Sequence, residues 1–99
     1  MYIVRDIFRL KFGQYREAKA LLDEAYRHGL LPDAKASRIL ADFTGDSYRL
    51  ILEEGFDTLT AYEQMLASGM QNPEWKSWYD QFKTHVEFSH REILRVVQS

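Results

Sequence analysis

Polar and apolar residues alternate over residues 2–11. Tyr2, Val4, Phe8 and Leu10 share one parity, and Ile3, Arg5, Ile7 and Arg9 the other. A period of two is that of a strand. Gly13 ends it. Over residues 14–28 the period becomes helical, with Tyr15, Ala18, Leu21, Leu22, Ala25 and Tyr26 on one stripe. Gly29 then stands where a helix end favours glycine. A connection containing Pro32 covers residues 30–34.

Residues 35–44 and 47–55 read as two strands joined by Gly45-Asp46, a hairpin signal. A two-residue loop pairs Thr44 with Ser47, Phe43 with Tyr48, Asp42 with Arg49, Leu40 with Ile51 and Arg38 with Glu53. Both charged pairs then have opposite signs, and Ile39–Leu52, Ala41–Leu50 and Phe43–Tyr48 form an apolar face. A slip of one residue would destroy both patterns.

Residues 57–70 predict a second helix, capped by Asp57 or Thr58, with Leu59, Tyr62, Met65, Leu66 and Met70 on its stripe. Asn72-Pro73 starts a third, over 74–85, carrying Trp75, Trp78, Tyr79 and Phe82. Residues 86–97 form the last strand. Val86, Phe88, Leu94 and Val96 share one parity, and Glu87, Ser89, Arg91, Ile93 and Arg95 the other. The order β-α-β-β-α-(α)-β is ferredoxin-like, an α+β fold with a four-stranded antiparallel sheet and helices on one face.

The parity assigned to the helix side is nearly all apolar. The opposite parity mixes Ile3, Ile7, Leu40, Ile51, Ile93 and Val97 with charges of both signs. Water alone does not call for so many aliphatics, so this face is expected to be covered, as a homodimer interface.

Composition narrows the picture. The 99 residues read as a single domain, 1–99, and their 14 Phe, Trp and Tyr side chains argue against disorder. The absence of Cys excludes disulfide scaffolds, thiolate metal sites and cysteine nucleophiles. A net charge of -2 removes the electrostatic case for nucleic acid. RNA-binding RRM domains share the strand order, but here the outward parity carries isoleucines and paired acids in place of aromatics. No apolar run is long enough for a membrane helix, and with a strand-like segment following Met1 directly no signal peptide is expected. No nucleic-acid or membrane partner is therefore expected, and the expected location is cytoplasmic.

The element order, the opening directly on a strand, and Trp75-Lys76-Ser77-Trp78 ahead of a long last strand resemble the dimeric α/β-barrel superfamily. The resemblance is to its NIPSNAP-like and antibiotic-biosynthesis-monooxygenase-like members and covers nearly the whole chain. It implies a homodimer with two sheets face to face and a ligand pocket between sheet and helices. Activities in that superfamily include cofactor-independent monooxygenation and haem degradation. The histidine that related haem enzymes carry on the second helix has no counterpart between Asp57 and Met70.

Parity places Asp6, His90, Glu92 and Glu54 as polar exceptions on the helix side. Asp6, His90 and Glu92 are the candidate catalytic residues: His90 as proton acceptor, oriented by Asp6, with both groups' pKa values shifted by burial. The same residues also read as a hydrogen-bonded structural cluster. A bulge near Ser89 would reverse the parity and carry His90 to the opposite face. A metal site is not expected, since one His and no ligand spacing are available. No cofactor is implied. Trp75, Trp78, Tyr48 and Tyr62 are candidate walls of a site for a small, mainly apolar molecule, and the same aromatics also serve as core. Two functional readings follow: a ligand-binding homodimer open to monooxygenase-like chemistry, or a structural or regulatory homodimer with no open pocket.

Overall fold

A computed structural model describes residues 1–31 and 34–99, so the connection expected at Pro32 lies partly outside the described residues. The elements run β1 (Tyr2–Leu10), α1 (Tyr15–Arg27), β2 (Ala36–Ala41), β3 (Arg49–Phe56), α2 (Leu59–Met70), α3 (Pro73–Phe82), a 3-10 turn (Lys83–His85) and β4 (Val86–Arg95). The strands form one antiparallel sheet in the order β2-β3-β1-β4. This is the ferredoxin-like arrangement with its helices on one face.

Local chemistry sets the helix ends. Gly29, at φ 65°, closes α1 with its own N–H bonded to the Tyr26 carbonyl and the Leu30 N–H bonded to that of Ala25. That pairing satisfies carbonyls the helix would otherwise leave free. Thr58 caps α2 by accepting from the Ala61 N–H at 3.1 Å. Asn72 caps α3 by accepting from the Glu74 N–H at 3.0 Å, with Pro73 in the first turn.

The β2–β3 register is the expected one, with Arg38 opposite Glu53, Leu40 opposite Ile51 and Ala41 opposite Leu50. Asp42 and Arg49 lie just beyond. The guanidinium donates to the carboxylate at 2.8 to 3.2 Å, and the Arg49 N–H donates to it as well. The connection is longer than the predicted two residues. Ser47 (φ 59°) and Tyr48 (φ 57°) take left-handed backbone, costly for side chains of their kind. What holds Tyr48 there is the Leu10 N–H, bonded to its carbonyl at 2.8 Å, and Phe12, whose ring centroid is 5.2 Å from its own. Phe43, expected on the helix side, is instead fully exposed.

The last strand departs from its predicted parity. Arg9 pairs with Phe88 but Leu10 with Val86, so Glu87 is an extra residue bulged out of the ladder. A bulge exchanges the faces of everything beyond it. Directly opposed residues point to the same face, so Ser89, Arg91, Ile93 and Arg95 join Phe8, Asp6, Val4 and Tyr2 on the helix side. Phe88, His90, Glu92 and Leu94 join Arg9, Ile7, Arg5 and Ile3 on the other.

The helix side holds two separate cores. Leu10, Ala18, Leu22, Ala25, Leu50, Trp78 and Phe82 form one, where α1 and α3 meet one end of the sheet. The Trp78 indole N–H donates to the Leu21 carbonyl at 2.7 Å and ties the two helices together. Val4, Phe56 and Tyr62 form the other, with Met65 and Leu66 packed against it. The α2 stripe is only partly covered: Tyr62 is buried, whereas Leu59 and Met70 remain exposed. Among the described residues no helix is long and apolar enough to cross a membrane.

Candidate functional site

Between the two cores, bounded by the sheet, α2 and α3, lies a cleft of about 810 Å³. Its apolar wall includes Phe8, Leu22, Leu52, Met65, Trp75 and Trp78. Trp75 and Tyr79 stack in parallel with centroids 5.0 Å apart.

Three strands carry polar groups into this apolar space. Asp6 projects from the middle of β1. Opposite it on β4, Arg91 donates through Nε to Asp6 Oδ1 at 2.5 Å. The same guanidinium lies 5.7 Å from the centre of the Tyr62 ring, on α2. Glu54 comes from β3, where the alternation Leu50, Leu52, Glu54 directs it at the helices. It is 2% exposed, and its Oε2 has no hydrogen-bond partner; neither has the buried Tyr62 hydroxyl. Burial, reinforced by the Asp6 charge and only partly offset by Arg91, pushes the Glu54 carboxyl up to about 7. Burial likewise raises Tyr62. Burial opposes the Arg91 charge, but the hydrogen bond and charge of Asp6 outweigh it, so the guanidinium is held more firmly protonated than usual.

The structure keeps some predicted site residues together and separates others. Asp6, Tyr62, Trp75 and Trp78 all line the cleft. His90 borders it along the edge strand, but its register partner is Ile7, so its side chain belongs to the opposite face. Glu92 lies on that opposite face too, 3.7 Å from Arg5. The bulge at Glu87 therefore removes His90 as a proton acceptor oriented by Asp6, and removes Glu92 with it. Tyr48 is drawn away to Phe12 at the end of the sheet and is not part of the cleft lining. Among the described residues no three His, Asp or Glu side chains converge as a metal would require. Glu54 was visible in sequence as a polar exception on the helix-side parity. Arg91 was not, because its parity alone assigns it to the other face.

No family model and no curated protein matches the chain. Solved structures do. A NIPSNAP family protein from Agrobacterium tumefaciens aligns over 99% of this chain and 88% of its own, with a TM-score of 0.87 at 17% identity. An uncharacterized NIPSNAP domain protein from Burkholderia xenovorans aligns over 98% and 95%, with a TM-score of 0.84 at 11% identity. A protein described as an antibiotic biosynthesis monooxygenase aligns over 99% and 100%, with a TM-score of 0.73 at 12% identity. At these identities the likeness is one of fold. It agrees with the resemblance drawn from element order and the Trp75–Trp78 segment.

Proposed function

We propose that the protein binds a small, mainly apolar molecule in the cleft between sheet and helices, and that Glu54 exchanges a proton with it. The open cleft, holding a buried, unpartnered carboxyl among aromatic walls, carries this reading. It favours a ligand site over a dimer with a collapsed pocket. A carboxyl that titrates near neutrality is suited to take or give a proton at working pH. The fold shared with a protein described as an antibiotic biosynthesis monooxygenase supports looking for oxygen-dependent turnover.

The assembly in this reading is a homodimer through the sheet face turned away from the helices. Ile7 and Ile51 lie at the centre of that face, and Phe88 and Leu94 are exposed along its β4 edge. Ile93, expected there, lies on the helix side.

Native mass spectrometry of protein purified from its own host should find two chains with a retained small molecule. Once that molecule is identified, oxygen uptake in its presence should fall at least ~100-fold in Glu54→Gln, the usual scale of general acid–base catalysis. A wild-type protein that takes up nothing from a host extract would refute the ligand site. Undiminished turnover in Glu54→Gln would refute the role of Glu54.

A further inference from the structure

We propose that the cleft selects ligands bearing a protonated amine on an apolar or aromatic body, with the ammonium seated against the Glu54 carboxylate. This rests on the reading of the cleft as an open small-molecule site and adds the sign of the charge it accepts.

Among the described residues that line the cleft, the charged side chains directed into it are Asp6, Glu54 and Arg91. Asp6 and Arg91 neutralise each other at 2.5 Å. Glu54 remains. It is almost fully buried, has no ion-pair partner, and its Oε2 is without a hydrogen bond. Burial of an unpaired carboxylate costs far more than burial of a paired one. The cleft thus has a vacancy for one positive charge and none for a negative one.

An ammonium also answers the other unmet group. It has three donors and no acceptor, so it can donate both to Glu54 Oε2 and to the equally unpartnered Tyr62 hydroxyl once these two side chains, whose polar atoms are shielded from water, turn to meet it. Tyr62 and Glu54 line the same cleft, and the Glu54 charge is among those that raise Tyr62. The faces of Trp75 and Tyr79 attract cations as well as apolar surface. A ligand carboxylate or phosphate would add a further anion beside Asp6 and Glu54, where the available cation is already held. A neutral alcohol would gain a hydrogen bond but leave the carboxyl without a counter-charge.

Both tryptophans of the chain line the cleft, so intrinsic fluorescence reports its occupancy. Three probes with one body separate the possibilities: 3-phenylpropylamine, 3-phenylpropanol and 3-phenylpropionate, titrated at pH 8 by fluorescence and calorimetry. The amine should bind at least ~10-fold more tightly than the alcohol, a difference of about 1.4 kcal/mol, and the carboxylate should bind most weakly. Glu54→Gln should abolish the amine's advantage over the alcohol. Should that variant fail to fold by circular dichroism, Glu54→Met serves in its place, and the wild-type ranking stands as an independent test. Equal affinity for amine and alcohol, or an amine preference that survives the substitution, overturns the charge selection while the apolar site stands. No binding of any probe up to millimolar concentration overturns both.

Discussion

Glu54 makes the stability of this protein depend on pH in a direction opposite to that of an ordinary surface carboxylate. Its carboxyl is raised from 4.5 to about 7, first by burial and then by the charge of Asp6. As pH rises from 4.5 to 7, the unfolded chain gives up this proton while the folded chain keeps it. The folded state therefore binds more protons across that window, and unfolding free energy falls as pH rises. At 1.36 kcal/mol per pH unit, the interval is worth about 3 kcal/mol, fully lost above pH 7. Glu54→Gln has no such proton. Urea titrations of both proteins at pH 5 and pH 8, at one fixed protein concentration, isolate the effect, since groups common to both cancel in the difference. The variant should gain about 2–3 kcal/mol on wild type between the two pH values. For a domain of this size that is a relative rise in Tm of roughly 10 °C or more. Parallel pH profiles would show that Glu54 is solvated or paired in the folded protein, and the reasoning would fail.

Arg91→Gln removes the cation that restrains the Glu54 carboxyl, so the upper bend of the stability profile should move above pH 7; an unmoved bend would show the two groups to be uncoupled. Trp78→Phe deletes the 2.7 Å bond to the Leu21 carbonyl and should cost about 1–2 kcal/mol in urea unfolding, with α1 and α3 less firmly joined. Asp42, held below the usual carboxylate range by its hydrogen bonds from Arg49, stabilises the fold above the ordinary carboxyl value, and that contribution is lost as pH falls through the depressed one. Asp42→Ala should therefore destabilise the protein at pH 6, and its cost should shrink as pH falls below the ordinary carboxylate range. Leu94→Glu places a charge on the sheet face proposed for dimerisation, at a position nearly half exposed in the single chain; light scattering at micromolar concentration should give about one chain mass with circular dichroism unchanged.

The third helix, expected to reach residue 85, ends at Phe82 and gives way to a 3-10 turn, whereas the element order, the start of each helix, the end of the first and the β2–β3 register were legible in the sequence. Each rests on local spacing: Gly29 and Asn72-Pro73 act within one turn, and Arg38–Glu53 with Asp42–Arg49 fit a single register. Asp6, Tyr62, Trp75 and Trp78 were found by the same kind of reasoning, because β1 has an unbroken alternation and α2 and α3 have clear stripes. The tertiary structure decided the rest. In β4, Phe88 and Leu94 stand on one parity and Ile93 on the other, with charges on both, so alternation alone carries little information about which face is which. The strand is an exposed edge, and what sets its parity is the pairing of Leu10 with Val86 and the bulge at Glu87 that follows. That one extra residue brings Arg91 onto Asp6 and turns His90 and Glu92 away. The cleft around Glu54 depends on how two separate cores pack, and no spacing within one segment encodes it.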